Sequence, residues 1–397
     1  MISSLPDASS AVKSGLLQQP PLSLYIHIPW CVRKCPYCDF NSHPQTTILD
    51  EVAYVDALLQ DLRIEREWVT ERTIESIFIG GGTPNLFSAE SIGRLLAGVA
   101  DSIACSDDIE ITMEANPGAL EAQRLSGYRG AGVNRLSLGV QSLNPDSLQA
   151  LGRIHGSEEV IDTVESAKAS GFERINLDMM FGLSQQTPAL AEADLAVAID
   201  LNPDHISYYQ LTLEPNTPFY QSPPELPNEE RLWQIQLQGM EMLQQAGFNQ
   251  YEISAFARAG ERCRHNLNYW RFGDYLGIGA GAHGKVTTRD GVIWRRWKKR
   301  HPNDYLQATS GASSYLQGER QLTAQDLPIE FMMNALRLRA GVEVELYGAT
   351  TGQGLDRLRE PLSIAVEKGL LYPVNDRLQA TPLGYRFLND LLSLFQA

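Results

Sequence analysis

Short apolar and β-branched runs alternate with longer amphipathic stretches between residues 22 and 254. The amphipathic stretches show the helical period, as at Val52, Val55, Leu59 and Leu62. This alternation is typical of βα units with right-handed crossovers and a parallel sheet, which is either doubly wound or closed toward a barrel. The runs that predict strands are Leu22–Ile28, Ile74–Ile79, Ile109–Met113, Val133–Leu138, Arg174–Leu177, His205–Leu211 and Tyr251–Ser254.

Polar or conformationally special residues follow the carboxyl ends of these predicted strands. Cys31 follows the first strand, residues 80–84 (Gly-Gly-Gly-Thr-Pro) follow the second, and Glu114 follows the third. The fourth strand leads to Gln141 and the fifth to Asp178. Since α/β barrels carry their chemistry at the carboxyl ends of the strands, we expect these groups to converge on one mouth.

The pattern changes after about Gly284. Trp294–Arg300 concentrates basic and aromatic side chains, and from Pro328 onward the order of helices and short extended pieces resembles a winged helix. We therefore expect four parts along the chain. They are a disordered tail over residues 1–20, a full or partial α/β barrel over 21–290, a basic and aromatic connecting segment over 291–325, and a smaller, mainly helical, winged-helix-like C-terminal domain over 326–397.

Composition narrows the class of protein. The chain has 397 residues, of which 43% are hydrophobic and 20% charged, so global disorder and a coiled coil are excluded. A net charge of −15 disfavours nucleic acid as a partner. Five cysteines, an odd number, do not indicate a secreted disulfide framework, and no stretch has the roughly 18 apolar residues of a membrane span. We expect a cytoplasmic protein.

Three of the five cysteines lie close together. Cys31, Cys35 and Cys38 form a C-x3-C-x2-C loop directly after a predicted strand. Three thiolates in an iron–sulfur cluster leave one iron open for an exogenous ligand. A structural zinc site normally has four ligands, and here His27 or His43 would have to supply the fourth. The ligand types favour the cluster, with zinc as the alternative.

The residues around these cysteines resemble the radical S-adenosylmethionine superfamily. Residues 25–29 (Tyr-Ile-His-Ile-Pro) precede the loop, and Tyr37 stands between its last two cysteines. The resemblance implies a 4Fe-4S cluster whose open iron binds S-adenosylmethionine, and a βα barrel that holds the cluster at its carboxyl rim. It also implies that electron transfer to the sulfonium can generate a deoxyadenosyl radical.

Further motifs resemble the cofactor site of the oxygen-independent coproporphyrinogen oxidase branch of that superfamily. A nucleoside and an amino-acid carboxylate need hydroxyl acceptors and a cationic clamp, and polar residues at the expected strand ends offer both. The resemblance implies that S-adenosylmethionine is bound by Tyr25, Tyr37, Gly81, Gly82, Thr83, Glu114, Gln141, Arg153 and Asp178.

Two features favour the heme chaperones of this branch over its decarboxylases. The decarboxylase pattern has a fourth cysteine two residues after the third, where this chain has Phe40. The H-N-x-x-Y-W motif of the chaperones is present at residues 265–270, which makes His265, Tyr269 and Trp270 candidates for heme binding. Cys263 is a rival iron ligand. The alternative is a histidine bonded at a helix end beside core aromatics.

The predicted function is therefore a heme chaperone that binds heme and passes it to an acceptor protein, supported by a 4Fe-4S cluster and S-adenosylmethionine. An oxygen-independent coproporphyrinogen III oxidase is the alternative, and an interaction module with a structural cluster is a third class. The Trp294–Arg300 segment could hold heme propionates or an acidic partner, or could be a basic strand edge or solvated loop.

Overall fold

The structure of the protein is a computed structural model that describes residues 19–308 and 314–396, without the side chains of residues 119–123. The predicted disordered tail lies almost entirely outside the described residues. No described helix is both long and apolar enough to cross a lipid bilayer.

The described strands build one large sheet and two small ones. They are β1 (Leu22–Ile28), β2 (Trp30–Cys31), β3 (His43–Pro44), β4 (Ile74–Gly81), β5 (Cys105–Ala115), β6 (Arg135–Gln141), β7 (Arg174–Phe181), β8 (His205–Gln210), β9 (Asn249–Gln250), β10 (Ala255–Ala257), β11 (Asp274–Ile278), β12 (His283–Thr287), β13 (Ile293–Lys298), β14 (Leu316–Gln321), β15 (Val342–Glu343) and β16 (Arg377–Leu378).

Most helices follow strands of the large sheet, and the rest belong to the C-terminal part. They are α1 (Glu51–Glu65), α2 (Ala89–Ser102), α3 (Ala119–Gly130), α4 (Pro145–Ala150), α5 (Ser157–Ala169), α6 (Pro188–Asp200), α7 (Pro218–Gln221), α8 (Glu229–Gln245), α9 (Arg264–Trp270), α10 (Pro302–Gln307), α11 (Leu327–Ala335), α12 (Val344–Thr351), α13 (Arg359–Glu367), α14 (Pro382–Arg386) and α15 (Leu388–Ser393).

The large sheet has twelve strands in the order β14-β13-β12-β11-β1-β4-β5-β6-β7-β8-β10-β9. The run from β11 through β1 to β8 is parallel, and the strands added at either end are antiparallel. Within the described residues β14 and β9 are edges and no ring is closed. The predicted α/β fold is confirmed, in its partial-barrel form.

The strands of the parallel run alternate between an apolar and a polar face. In β6, Leu136 and Leu138 are fully buried in the main hydrophobic cluster together with helix residues such as Val160. Arg135 and Ser137 alternate with them, and Ser137 donates a hydrogen bond to a carboxylate of the neighbouring strand β7. The period of two therefore places apolar side chains under the helices and polar ones on the opposite face, inside the partial barrel.

Two predicted strands differ from the structure. The prediction of a strand over Tyr251–Ser254 is wrong, because the paired residues lie on either side of it, in β9 and β10. The Glu252 carboxylate accepts hydrogen bonds from the backbone N–H and hydroxyl of Ser254, which closes a turn there. The strand predicted over Val133–Leu138 starts two residues later and extends to Gln141.

A second hydrophobic cluster lies in the C-terminal part. It contains Phe331, Tyr347 and Leu391 and reaches back to Phe272 of the loop before β11. Among the described residues of this part, the strands form one antiparallel pair, β15–β16, and one isolated bridge. The winged-helix resemblance and the domain boundaries stay predictions. Within the expected connecting segment, β13 and β14 continue the large sheet.

Candidate functional site

A cavity of about 320 Å³ opens at the carboxyl ends of the parallel strands. We call it the mouth. It brings together all the residues predicted for the cluster and S-adenosylmethionine except Tyr25. They are Cys31, Cys35, Cys38, Tyr37, Gly81, Gly82, Thr83, Glu114, Gln141, Arg153 and Asp178.

The cysteine loop is held at its two ends. Cys31 belongs to β2, which pairs with β3, and its carbonyl accepts a hydrogen bond from the Gln45 backbone N–H at 2.8 Å. Between the ends, the Cys38 N–H donates to the Cys35 carbonyl at 3.2 Å. Burial raises the pKa of the Cys31 and Cys38 thiols, so that binding of iron has to release protons from them.

The same loop does not form a site for a single metal ion. Among the described residues, no three His, Cys, Asp or Glu side chains lie close enough to hold one ion. The His27 ring is occupied by hydrogen bonds with the Tyr25 hydroxyl at 2.7 Å and the Asn41 carbonyl at 2.8 Å. A four-iron cluster spreads its thiolates over several irons, so three cysteines on one loop at a shared cavity fit a cluster better than zinc.

The glycines after β4 allow backbone to line the mouth. A Cβ atom on Gly81, whose φ is +113°, would lie 2.4 Å from the His27 ring. One on Gly82 would lie 2.4 Å from the Trp30 carbonyl oxygen. The Gly81 N–H donates to Glu114 Oε2 at 2.9 Å. Glycine is therefore required at both positions for the strand end to fit against the cysteine loop.

Two half-buried carboxyl groups face the mouth. Burial, and then the nearby Asp178 carboxylate, raises the pKa of Glu114 to about 7. Burial also raises the pKa of Asp178, which accepts hydrogen bonds from Asn176 at 2.8 Å and Ser137 at 3.0 Å. Carboxyl groups in this position can accept hydrogen bonds from the hydroxyl groups of a nucleoside.

Arg153 connects three strand ends across the mouth. Its guanidinium donates to the Asn116 side-chain oxygen at 2.6 Å, to the Gly139 carbonyl at 2.5 Å and to Cys35 Sγ at 3.7 Å. Asn116 in turn donates to the Thr83 hydroxyl at 3.0 Å. Arg153 Nε is buried and has no hydrogen-bond partner among the residues that the structure describes. A cation in this place can pair with a carboxylate and stabilise a neighbouring thiolate.

Asn116 and Tyr209 also line the mouth, although neither was a predicted site residue. The Tyr209 hydroxyl donates to Gln141 Oε1 at 2.5 Å, and Gln141 adopts a positive φ of 70°. Asn116 could have been found from its place after a predicted strand. Nothing in the adjacent pair Tyr208 and Tyr209 shows which tyrosine faces inward.

The two predicted tyrosines have different places. Tyr25 lies beneath the mouth, stacked on Phe78 with 6.1 Å between ring centroids. Its hydroxyl contacts His27, the ring that packs against Gly81. Tyr37 lines the mouth directly, and its ring lies 6.4 Å from that of Phe219.

At the other end of the partial barrel lies a second polar group, which we call the base: Glu110, Arg135, His205, Tyr251 and His265. Arg135 donates to Glu110 at 3.1 Å, and both side chains are only 1% exposed. The His265 ring lies 3.4 Å from the other Glu110 oxygen and 4.4 Å from the centroid of Phe78.

The His265 side chain is buried, with 6% of its surface exposed, and it does not line the mouth. The Tyr269 ring packs edge-on against Tyr275 at 4.7 Å, and the Arg337 guanidinium lies 4.2 Å over Trp270. Cys263 is 3% exposed, just before α9. The structure therefore brings the heme candidates together on one helix, with His265 buried and Tyr269 and Trp270 partly exposed.

The Trp294–Arg300 segment differs from the predicted strand edge and from the predicted solvated loop. Ile293–Lys298 is a strand between two others and is neither an edge nor a solvated loop. Arg296 and Lys298 are buried and form ion pairs with Glu65 at 3.1 and 2.7 Å. Arg295 pairs with Glu330 at 2.6 Å. These three cations stabilise the packing of the sheet and are not available to an anionic ligand.

Two family models match the chain. The model of the radical SAM superfamily matches residues 25–196, and the model of the HemN C-terminal domain matches residues 322–387. Among solved structures, coproporphyrinogen III oxidase (HemN) from Escherichia coli, described as a radical SAM enzyme, superposes with a TM-score of 0.82. That match covers 97% of this chain and 92% of the other at 23% identity, which shows the fold alone.

Curated relatives cover nearly the whole chain. The heme chaperone HemW of Haemophilus influenzae is 50% identical over 95% of this chain and 98% of its own length. The heme chaperone HemW of Escherichia coli is 49% identical over 96% of this chain and 100% of its own. The Bacillus subtilis protein of the same name is 35% identical over 94% of this chain and 98% of its own.

Proposed function

The chain belongs to the HemW family of the radical SAM superfamily, and from that membership we propose that it is a heme chaperone, which binds heme and passes it to an acceptor protein. The observation that carries the proposal is the identity of about half of all residues to two curated heme chaperones over almost the full length of both proteins. We place this activity in the cytoplasm, where five reduced cysteines are expected.

Cys31, Cys35 and Cys38 are proposed to hold a 4Fe-4S cluster. Support comes from their common loop, from its fixing by β3, and from Arg153, which lies 3.7 Å from Cys35 Sγ and offsets thiolate charge. When bound, the cluster supplies an electron to the sulfonium of S-adenosylmethionine. The chain's own part would be to hold three thiolates beside the mouth, which would leave one iron of the cluster without a protein ligand.

The rest of the mouth is proposed to hold S-adenosylmethionine. Glu114 and Asp178 are placed to accept hydrogen bonds from ribose hydroxyls, and Arg153 is placed to pair with the methionyl carboxylate. Gly81 and Gly82 let backbone groups approach the amino end of the cofactor. Gln141 is held in orientation by the Tyr209 hydroxyl.

A porphyrinogen decarboxylase would share this fold, so the two functions must be separated by experiment. Anaerobic incubation of the reconstituted protein with coproporphyrinogen III, a reductant and S-adenosylmethionine should give no protoporphyrinogen IX. Titration of the same preparation with heme should give a saturable Soret shift, and the bound heme should move to an apo-hemoprotein. Multiple turnovers of coproporphyrinogen III, or the absence of saturable heme binding, would contradict the proposal.

A further inference from the structure

Another cavity, of about 390 Å³, lies beside the mouth and shares part of the cysteine loop with it. We call it the side cavity. Phe40, His43, Lys34, Arg300 and His301 line it, and Cys38 lines both cavities. It therefore adjoins the proposed cluster site without being part of the S-adenosylmethionine site.

His43 has the arrangement of a metal-binding histidine. The Arg300 backbone carbonyl lies near the ring, and Nε2 is buried without a hydrogen-bond partner among the described residues. Histidines that bind metal usually donate their other ring N–H to a backbone carbonyl or carboxylate, which fixes the ring and leaves one lone pair free. Burial, and then the adjacent His301, lowers the pKa of His43, which favours the neutral ring.

Phe40 supplies an apolar surface next to this histidine. It is 59% exposed, although aromatic side chains of this size are usually covered. It occupies the position where the decarboxylase pattern has its fourth cysteine, and it lines both the mouth and the side cavity. An exposed flat ring beside a histidine is suited to stacking with a planar ligand.

Lys34 and Arg300 make the side cavity suitable for anionic groups. Lys34 Nζ donates to the carbonyls of Phe40 and Ser42 at 3.1 and 3.2 Å, and neither Lys34 nor Arg300 forms an ion pair with a described carboxylate. Asp39 is the one acidic residue among the described residues that line the cavity. Two cations thus flank an aromatic ring and an imidazole.

We propose that the side cavity is a binding site for an iron porphyrin, in which His43 Nε2 ligates the iron, the macrocycle stacks on Phe40, and Lys34 and Arg300 pair with the propionates. Binding requires the His301 ring to turn away from the iron; its centroid is 5.2 Å from that of His43, and its Nδ1 accepts the Asn303 N–H at the start of α10. This inference rests on the proposed heme-binding function and names its site, which is distinct from the buried His265.

The test is a heme titration of the full chain with its reconstituted cluster, followed by the Soret band. His43→Ala should weaken binding by roughly ten-fold or more and shift the band, because the axial ligand is lost. His265→Ala and the exposed control His283→Ala should bind as the wild type does. Loss of binding in His265→Ala with none in His43→Ala would overturn the site and leave the chaperone function standing. Absence of saturable binding in the wild type would instead contradict the proposed function.

An iron-free porphyrin distinguishes loss of the axial iron ligand from collapse of the cavity. Iron-free protoporphyrin IX should bind equally well to the wild type and His43→Ala, and more weakly to Phe40→Ala. An equal loss of heme and protoporphyrin IX binding in His43→Ala would rule out His43 as the ligand.

The propionate contacts are tested with a second ligand. Heme dimethyl ester, which lacks the propionate charges, should bind the wild type more weakly than heme. In a variant with both Lys34→Gln and Arg300→Gln, heme and heme dimethyl ester should bind equally well. A persisting preference for heme would show that these cations are not part of the site.

Discussion

Glu110 and Glu114 lie four residues apart on the same face of β5, and their surroundings are opposite. At the base, Glu110 is buried beside donors and a cation: burial raises its pKa, but the hydrogen bond from His265 and the charge of Arg135 lower it to about 2. At the mouth, burial and a second carboxylate, that of Asp178, raise the pKa of Glu114 to about 7.

This comparison distinguishes a structural polar group from a binding site. At the base, the carboxylate is satisfied by other residues of the chain, and its contacts hold α9 against β5 and β6. At the mouth, two acids are kept close together beside a cavity, an arrangement that is unfavourable by itself and that a ligand can relieve. Polarity inside the partial barrel is thus common to both ends, and only the partners differ.

The largest expected effect concerns the cysteines of the mouth. Replacing Cys31, Cys35 or Cys38 by Ala should remove most of the cluster absorbance and iron after anaerobic reconstitution, because no fourth thiol lines the described mouth. Cys105→Ala, at the start of β5, is the matched control and should retain the full cluster. Wild-type iron content in all three loop variants would rule out the assignment.

The next largest effect is at the base. Arg135→Ala leaves Glu110 buried without its cation, and should lower the free energy of unfolding by about 3–5 kcal/mol. Urea unfolding followed by circular dichroism measures it. Arg271→Ala breaks the exposed pair with Glu343 and should cost only about 0.2–1 kcal/mol. Similar losses in the two variants would show that the base is not the structural element described above.

The two glutamates should also respond oppositely to pH. Because its pKa is raised in the folded chain, Glu114 stabilises the fold below pH 4.5 and loses that contribution as the pH rises through about 7. Relative to Glu114→Gln, the metal-free wild type should lose about 3 kcal/mol of unfolding free energy over that interval. A difference that does not change between pH 4.5 and 7 would contradict the assignment.

For Glu110 the sign is reversed. Its lowered pKa means that its contribution is present above pH 4.5 and is lost as the pH falls toward about 2. Urea unfolding of wild type and Glu110→Gln at pH 7, 4.5 and 3 should show the difference between them shrinking only in the acid range.

The smallest effect tests a residue of the mouth that sequence reasoning missed. Tyr209→Phe removes the hydrogen bond that orients Gln141, and should weaken S-adenosylmethionine binding roughly two- to tenfold in equilibrium dialysis. Tyr208→Phe is the matched control, because the Tyr208 hydroxyl on the opposite face has no hydrogen-bond partner in the described part of the chain. Equal effects of the two variants would place Tyr209 outside the site.

Much of the mouth could be predicted because each of its motifs is local in sequence and follows a strand. The cysteine loop and the Gly-rich turn each lie directly after a strand, and parallel strands bring their carboxyl ends to one edge. The strand at Tyr251–Ser254 was predicted wrongly because its apolar and β-branched residues resemble a strand, while the Glu252 side chain closes a turn.

Other features could not be predicted because they depend on contacts between residues far apart in the sequence. Nothing near Arg296 or Lys298 in the sequence shows that Glu65, more than two hundred residues earlier, neutralises them, so the segment reads as a basic patch. Likewise the H-N-x-x-Y-W motif shows a histidine beside aromatics, but not that Glu110 and Phe78 enclose His265. Charge and aromatic content along the chain do not reveal which groups are already paired.

The most direct test of the distinction between mouth and base is the electron paramagnetic resonance spectrum of the reduced cluster with and without S-adenosylmethionine. Addition of S-adenosylmethionine should change the spectrum in the wild type and in His265→Ala, since the base only supports the fold. Arg153→Ala, a change in the mouth, should abolish or greatly weaken that response at the same cluster content. A wild-type spectrum that S-adenosylmethionine leaves unchanged, or a response lost in folded His265→Ala and kept in Arg153→Ala, would contradict the account.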